Sequence, residues 1–440
     1  MAGRLQAELL QQGVSMFEGR VCEAFAAGRG GLAGQALARK VGDEPAARMS
    51  RGRARILVAV FGLACLGAVA WLVMESSGPR PVAQQLLDDL VSGPGRIAPG
   101  ASAWVSGPHG TWVGSAGLAN VSTHEPMRPD ARMRLESVSK AWTATLLLQL
   151  VGERRLRLSD TVERWLPGLL PAGGKITVRE LLDHTSGLVD NNDLLATPGG
   201  YARQITDPML RRRLLRIGDS WQANPQLKFP ARLWVEFAAA LRLRSKPGTS
   251  FHYSNIGYDV AAMIAERATG LPLATLYRQK IIQPLGLASA AYDPQGEIKG
   301  PHPRGYRVEA NGTLIDTTGW YTGGTGGAAG IVSDAADEAT FLTALMQGTL
   351  IDPQERKAME TPSPASASIH MPYGLGFDIE SPACGGTAYG HSGIGASFTS
   401  DVLVSPDGLR VAVLLLNGHT ADGHGDAIAH AATVRLYCTS

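Results

Sequence analysis

Ser137 and Lys140 are the side chains of this sequence best suited to covalent chemistry, and they stand three positions apart. The apolar run after them contains neither glycine nor proline before Gly152, which predicts a helix that opens at this pair. Residues three apart share one face of a helix, so the hydroxyl and the amine can point into one cavity. A partly desolvated lysine can then take the serine proton and create a nucleophile. A surface lysine on an ordinary helix gives the same pattern, so other stretches have to decide.

Tyr253 and Asn255 lie two positions apart in a segment that is predicted to be extended or looped, so both side chains can face the same way. A phenol near a lysine can have a lowered pKa and pass protons, and an amide can orient a substrate carbonyl or the lysine. The alternative is a tyrosine packed on the core beside a turn-forming asparagine.

His391, Ser392 and Gly393 belong to the glycine-rich segment 389–395, which leads into a predicted hairpin. A strand edge of this composition lets a substrate lie beside the backbone, and its N–H groups can face a developing oxyanion. We therefore predict that Ser392 and Gly393 bind substrate.

The three motifs occur in the order Ser137-x-x-Lys140, Tyr253-x-Asn255 and His391-Ser392-Gly393. This order resembles the serine β-lactamase and D-alanyl-D-alanine carboxypeptidase family, which is penicillin-binding protein-like and related to the class C β-lactamases. The stretches 181–188, 246–248 and 329–333 resemble the family as well. The resemblance runs from about residue 81 to the end and implies a β-lactamase-like fold.

The resemblance also implies a role for each motif residue. Ser137 would be the nucleophile of an acyl-enzyme, and Lys140 and Tyr253 would share the general-base and general-acid duty. Asn255 and His391 would orient the substrate and the tyrosine. The implied oxyanion hole consists of two backbone N–H groups, those of Ser137 and Ile394. No cofactor and no metal is expected.

Asp378 departs from the family pattern. The carboxypeptidases carry an arginine just after the run that matches residues 373–376, where it binds the substrate's terminal carboxylate, and a carboxylate there would repel that group. We therefore expect a D-alanyl-D-alanine carboxypeptidase-like hydrolase of D-amino-acid peptides or small esters and amides. The alternatives are a β-lactamase and a non-catalytic penicillin-binding or cell-wall-binding relative.

Strands are predicted near the start of the domain, at 101–105 and 111–117, and near its end, at 398–404 and 410–416. Helical patterns fill the middle, and 426–436 closes the chain as a helix. These patterns predict an α/β fold whose antiparallel sheet comes from both ends of the chain, flanked by helices, with an all-helical lobe inserted. The catalytic cleft should lie where lobe and sheet meet.

The run Ile56–Met74 is apolar throughout and follows three arginines, at positions 51, 53 and 55. As a helix it would measure about 28 Å, enough to cross a bilayer, with the arginines on the cytoplasmic side. It is therefore either a transmembrane anchor or the apolar region of a cleaved signal. Residues 1–55 are a cytoplasmic tail or an over-extended start, with translation beginning at Met1 or Met49. The domain 81–440 is then extracytoplasmic, membrane-anchored or secreted.

The net charge of +2 gives no reason to expect a nucleic-acid partner. The basic residues of the segment 211–216 are interpreted as a solvated helix face. One further group suggests a metal site but lacks a recognised ligand spacing, and a glycine-rich loop running into a helix cap explains it better. Its members are His419, His424, Asp426 and His430.

Cys384 and Cys438 are the two cysteines of the predicted exported domain. An even pair in such a domain favours a bridge, with two free buried thiols as the alternative. The carboxypeptidases that the chain resembles have a disulfide at matching places, which implies the same pairing here.

Overall fold

The computed structural model describes residues 79–440, apart from residues 94, 225, 228, 321–325 and 368–371. The described residues belong to one compact unit. Among them, no helix has both the length and the apolar character needed to cross a membrane. The predicted tail 1–55 and the apolar run Ile56–Met74 lie outside the described residues.

The secondary-structure elements of this part of the chain are as follows. The strands are β1 (Gly100–Gly107), β2 (Gly110–Asn120), β3 (Glu125–Pro126), β4 (Met133–Arg134), β5 (Ala291–Tyr292), β6 (Tyr306–Val308), β7 (Leu314–Asp316), β8 (Ile331–Ser333), β9 (Asp378–Glu380), β10 (Ala388–Ile394), β11 (Thr399–Val404), β12 (Val411–Leu416) and β13 (Gly418–Thr420). The α-helices are α1 (Pro79–Val91), α2 (Ser139–Gly152), α3 (Val162–Trp165), α4 (Val178–Leu182), α5 (Asn191–Ala196), α6 (Pro198–Ala202), α7 (Pro208–Ala223), α8 (Ala231–Ala239), α9 (Asn255–Thr269), α10 (Leu273–Tyr277), α11 (Gln283–Leu285), α12 (Ala335–Met346), α13 (Pro353–Glu360), α14 (Pro364–Ala367) and α15 (His424–Thr439). A 3₁₀ turn spans Glu136–Val138, and a π-helical turn spans Arg278–Ile282.

The main sheet has seven strands in the order β3-β2-β1-β12-β11-β10-β9, and all of its pairs are antiparallel. Strands from the two ends of the chain meet at β1 and β12, where Ala101 lies opposite Leu416. The predicted α/β fold, with one sheet built from both chain ends, is confirmed. Two small three-stranded sheets, β13-β6-β7 and β4-β8-β5, flank it.

Alternation along β12 divides the core into two layers. Val411, Val413 and Leu415 belong to the cluster that contains the helical lobe, whereas Ala412 and Leu414 belong to the cluster that contains α1 and α15. Successive residues of a strand face opposite sides of its sheet, so one apolar strand supplies both layers. The sheet is therefore covered on both faces, as the prediction of flanking helices required.

The helical lobe runs from α2 to α11, between the strands from the two ends of the chain, as predicted, whereas the strands β5 to β8 that follow it were not predicted. Its α4 begins with a capping box, in which Thr177 accepts from the Glu180 amide and the Glu180 carboxylate accepts from the Thr177 amide. The longer α9 begins after Ser254, whose side chain accepts from the backbone N–H of Gly257. These caps fix the loops that end at the candidate site.

Candidate active site

Ser137 lies on the 3₁₀ turn just ahead of α2, so the prediction that the helix itself opens at this serine was wrong by two residues. The preceding Glu136 has a φ of +48°, a conformation that costs free energy for a residue with a side chain. The turn is held from both sides. Leu135 donates its N–H to the carbonyl of Ile331 at 2.9 Å, and its own carbonyl accepts from the Ser400 hydroxyl at 2.6 Å.

Lys140 is fully buried, and its Nζ lies 2.9 Å from Ser137 Oγ. The same nitrogen is 2.7 Å from Asn255 Oδ1 and 3.0 Å from the carbonyl of Ala328. A neutral amine has two N–H groups and one lone pair. With the two N–H groups donated to Asn255 and Ala328, the lone pair faces the serine hydroxyl, which is the arrangement of a general base.

The charge state of Lys140 depends on its surroundings. Burial lowers the pKa of Lys140 to about 7, although the acidic side chains of Asp190 and Asp259 act in the opposite direction. Burial also raises the pKa of Asp259 to about 7. A large fraction of Lys140 is therefore neutral at neutral pH, and it can accept the serine proton.

Tyr253 donates its hydroxyl to Ser137 Oγ at 3.0 Å. The prediction that the lysine lowers the pKa of this phenol was wrong, because burial raises that pKa above its ordinary value. Lys140 Nζ lies 4.9 Å from the centre of the tyrosine ring. The resting tyrosine is therefore protonated, which suits a proton donor.

The loop that carries Tyr253 is fixed by His184. The two rings lie 4.3 Å apart between centroids, and the His184 Nδ1 accepts from the backbone N–H of Ser254 at 3.1 Å. Asn255, predicted on an extended or looped segment, is the first residue of α9. Its backbone N–H donates to Asp190 Oδ1 at 2.7 Å.

His391 is buried on β10, with its Nδ1 2.5 Å from the carbonyl of Ser392. Burial and the nearby Lys140 lower the pKa of His391 to about 3, so the ring is neutral. A proton on Nδ1 makes Nε2 an acceptor, and among the described residues this atom has no hydrogen-bond partner. His391 can therefore accept a hydrogen bond from a substrate.

Ser392 and Gly393 follow on the same strand. The Ser392 hydroxyl donates to Asp401 Oδ2 at 3.0 Å, so the side chain of this predicted substrate-binding residue is engaged within the protein. At Gly393 an added Cβ would lie 2.1 Å from the carbonyl of Leu135 and 3.0 Å from the Ser137 nitrogen. Only glycine lets β10 pack directly against the turn of the nucleophile.

These residues surround one cavity of about 300 Å³ between the edge of β10 and the helical lobe. Its lining residues are Glu136, Ser137, Asn192, Tyr253, Asn255, Ala329, Asp378, His391, Ser392 and Ile394. The structure thus brings together the three motifs and Ile394, the predicted second oxyanion donor.

The model of the family described as Beta-lactamase matches residues 84–435 of this chain. The chain belongs to the beta-lactamase family. Like its relatives in this family, it is a serine hydrolase.

Two solved structures of family members are similar over most of the chain. The D-stereospecific amidohydrolase from Streptomyces sp. is 30% identical, with a TM-score of 0.65 over 79% of this chain and 96% of that one. The D-amino acid amidase from Ochrobactrum anthropi SV3 is 25% identical, with a TM-score of 0.66 over 82% and 98%.

Curated relatives match shorter portions. Esterase EstB of Burkholderia gladioli is 35% identical over 40% of this chain and 42% of its own length. The D-aminopeptidase of Brucella anthropi is 28% identical over 63% of this chain and 48% of its own length. The chain thus spans less than half the length of these two relatives.

Three residues of this beta-lactamase family site were missed by the sequence analysis: Asp190, Asp259 and Ala328. Asp190 follows the family-like stretch 181–188 by two positions, and Asp259 lies one helical turn after Asn255 on α9, so each had a local signal. Ala328 acts through its backbone carbonyl, which no side-chain pattern reveals.

The structure joins Cys384 and Cys438 in a disulfide, with a Cα–Cα distance of 5.5 Å. Of the four candidate metal ligands, it brings only His419 and Asp426 together. His419 pairs with Asp426, and His424 pairs with Asp422, whereas His430 lies between Glu380 and Asp401. Among the described residues no group of three or more such side chains could hold a metal ion.

Proposed function

We propose that this protein is an exported serine hydrolase that cleaves D-amino-acid amides, esters or short peptides through an acyl-Ser137 intermediate. The observation that carries the proposal is the position of Ser137 Oγ, which is 2.9 Å from Lys140 Nζ and 3.0 Å from the Tyr253 hydroxyl. A nucleophile between a neutral amine and a protonated phenol has both a base and an acid at hand.

In the proposed acylation, neutral Lys140 takes the Ser137 proton while Oγ attacks the substrate carbonyl. The oxyanion is stabilised by the backbone N–H groups of Ser137 and Ile394. As the C–N or C–O bond breaks, Tyr253 gives its proton to the departing amine or alcohol and recovers one from Lys140. A water molecule then repeats the sequence on the acyl-enzyme, which releases the acid and restores the serine.

The charges of the cavity favour amides and esters over β-lactams or peptides ending in D-alanyl-D-alanine. Both disfavoured classes carry a carboxylate near the scissile bond. Among the described residues, those that line the cavity include the acids Glu136 and Asp378 and no arginine or lysine. Lys140, beneath the cavity, already has three hydrogen-bond partners. The names of the amidohydrolase, the amidase and the esterase among the relatives support the same substrate classes.

Export is proposed on two grounds. The apolar run Ile56–Met74 follows three arginines, as an anchor or signal does. The disulfide between Cys384 and Cys438 suits an oxidising compartment.

The test is a panel of D-alanine amide, a D-alanyl peptide, a short-chain ester and a cephalosporin, assayed with the wild-type protein and Ser137→Ala. We expect hydrolysis of the amide and the ester, and its loss by several orders of magnitude in the variant, because the nucleophile is gone. The matched control is Ser159→Ala, which removes an exposed hydroxyl elsewhere and should leave turnover unchanged. Turnover that survives Ser137→Ala contradicts the proposal, and fast cephalosporin hydrolysis replaces it with a β-lactamase.

A further inference from the structure

Asp378 places an acid at one end of the candidate site. It is the first residue of β9, where it lies opposite Gly390, the residue before His391. A second backbone bridge links it to Tyr373, so the main chain is held on both sides. The side chain is half-buried and lines the cavity that contains Ser137.

Within the described part of the chain, the Asp378 carboxylate has no hydrogen-bond or ion-pair partner. The acids Glu380, on the same strand, and Asp401, on β11, act on this carboxylate electrostatically, and so do the cations His430 and Lys140. His430 is already paired with Glu380 and Asp401, and Lys140 is bound to Ser137 and its other acceptors. A bound cation would therefore supply the partner that the protein does not.

Asp378 lines the same cavity as Ser137 and Tyr253. Tyr253, the proposed proton donor, has its ring 6.3 Å from that of His391, which in turn lies 5.8 Å from that of Tyr373, the bridge partner of Asp378. The proposed oxyanion donor Ile394 is the last residue of β10. It lies four residues, or about 13 Å, along the strand from Gly390, the residue opposite Asp378. A leaving group that receives its proton from Tyr253 is therefore released into the cavity that Asp378 also lines.

We propose that Asp378 forms the leaving-group subsite and selects substrates whose departing amine or alcohol carries a positively charged primary ammonium. The inference rests on the proposed function, because it names the substrate class of that same site. It predicts that kcat/KM is highest for a cationic leaving group, lower for a neutral one and lowest for an anionic one.

Proton linkage at Asp378 adds a dependence on pH. Burial, together with Glu380 and Asp401, raises the pKa of Asp378 to about 8, and His430 and Lys140 act against this shift. The fraction ionised in the empty site thus increases as the pH rises toward 8. Preference for a cation should increase in the same direction, since an aliphatic ammonium keeps its charge up to about pH 10.

The test uses three substrates that share the acyl group N-acetyl-D-alanine and differ only in the leaving amine: 2-aminoethylamine, glycinamide and glycine. These amines are similar in size and carry a cation, no charge and an anion beyond the scissile bond. We expect kcat/KM for the cation to exceed that for the anion by at least about tenfold, or about 1.4 kcal/mol. The full-length protein is used for these assays. The titration of Lys140 changes kcat/KM for all three substrates by the same factor, so it does not affect the ratio.

Two variants locate the effect. Asp378→Asn should bring the three kcat/KM values close together, and Asp378→Arg should invert the order so that the anion is preferred. The matched control is Asp89→Asn, which removes one exposed acid on α1 and should leave the wild-type order unchanged.

The outcomes separate the two proposals. Absence of Ser137-dependent hydrolysis of the neutral substrate overturns the proposed function and the subsite with it. Ser137-dependent hydrolysis of all three substrates without a cation preference, or with a preference that does not increase with pH, overturns the subsite alone. The wild-type ratio decides this even where the arginine variant does not fold.

Discussion

Lys140 and its two acidic neighbours form one electrostatic unit. Burial disfavours the ammonium form, while Asp190 and Asp259 favour it, and the balance sets the pKa of Lys140 at about 7. Asp259 also accepts hydrogen bonds from the backbone N–H groups of Gly327 and Ala328, next to the carbonyl that binds Lys140. The same acid therefore positions the lysine and tunes its proton affinity.

This balance predicts the pH profile. For a neutral ester, kcat/KM should rise with pH through about 7, because only neutral Lys140 can take the Ser137 proton. In Asp259→Asn the rise should move to lower pH, since a group that stabilises the ammonium form has been removed. Stopped-flow acylation rates measured across the pH range check this. A profile that stays in place or moves upward in the variant contradicts the electrostatic unit.

The proposed role of Tyr253 as proton donor predicts how its removal changes kcat and KM. Tyr253→Phe keeps the ring beside His184 and removes the hydroxyl that donates to Ser137. We expect kcat to fall by about 10²–10⁴, the usual contribution of a positioned proton donor, with a much smaller change in KM. Steady-state kinetics with an amide substrate provide the measurement. An unchanged kcat would assign the whole proton transfer to Lys140.

Residue types and spacing, together with the family resemblance, predicted which side chains meet Ser137. They were not sufficient for the proton affinities, because these depend on burial that only the folded chain creates. The tyrosine illustrates the difference, since its position was predicted and the direction of its pKa shift was wrong. The contact between Lys140 and the Ala328 carbonyl was likewise out of reach, because it joins positions 188 residues apart.

At the scale of elements, α15 holds the strand that carries His391. His430 on this helix lies 3.3 Å from Glu380 on β9 and 3.2 Å from Asp401 on β11. Asp401 also accepts from Ser392 on β10. One histidine thus links the helix to three neighbouring strands behind the cavity.

The linkage of His430 predicts how stability varies with pH. Hydrogen bonds to Asp401 and Glu380 raise the pKa of His430 to about 10 in the folded state. Because this pKa is higher in the folded than in the unfolded state, protonated His430 stabilises the fold. The stabilisation is fully present below the unfolded-state pKa of about 6.5 and is lost as the pH rises toward 10. The free energy of unfolding should therefore decline over this range more steeply in the wild type than in His430→Gln.

Urea denaturation at a series of pH values measures this difference. The matched control is Ala431→Gln, which places the same amide side chain at an exposed position of the same helix and changes no titratable group. Its curve should keep the wild-type slope. Equal slopes in the wild type and His430→Gln would show that His430 gains no stabilising charge on folding.

The disulfide adds a covalent link between α15 and the β9–β10 hairpin. Cys384 and Cys438 are 54 residues apart, and closing a loop of this length is worth about 4 kcal/mol in the chain-entropy estimate. Cys384→Ser/Cys438→Ser should lose stability of this order in urea denaturation. Reductant should lower the stability of the wild type and leave that of Cys384→Ser/Cys438→Ser unchanged. A double variant as stable as the wild type would contradict the estimate.

Local sequence patterns predicted which secondary-structure elements form, but they did not predict the detailed geometry of those elements. Alternation and turns predicted the strands at both chain ends. The 3₁₀ turn at Ser137 depends instead on the positive φ of Glu136 and on tertiary hydrogen bonds from Leu135 and Ser400. Contacts of that kind are absent from any local window of sequence.

At the scale of the whole molecule, the catalytic domain and the N-terminal segments are proposed to do separate work. All of the catalytic contacts found here lie between Glu136 and Asp401, within the described residues. The predicted export information lies in Ile56–Met74 and the arginines before it. Removing one part should therefore change location without changing the chemistry of the other.

Two deletions test this separation, each in a protein with a C-terminal reporter that is active only outside the cytoplasm. Deletion of residues 1–48, so that translation begins at Met49, keeps the arginines and the apolar run and should leave export unchanged. Deletion of residues 56–74 removes the apolar run and should abolish reporter activity. Because thiols stay reduced in the cytoplasm, the second deletion should also leave Cys384 and Cys438 open to alkylation. Reporter activity that survives loss of 56–74 would contradict the export proposal, and loss of export in the first deletion would place essential targeting information upstream of Met49.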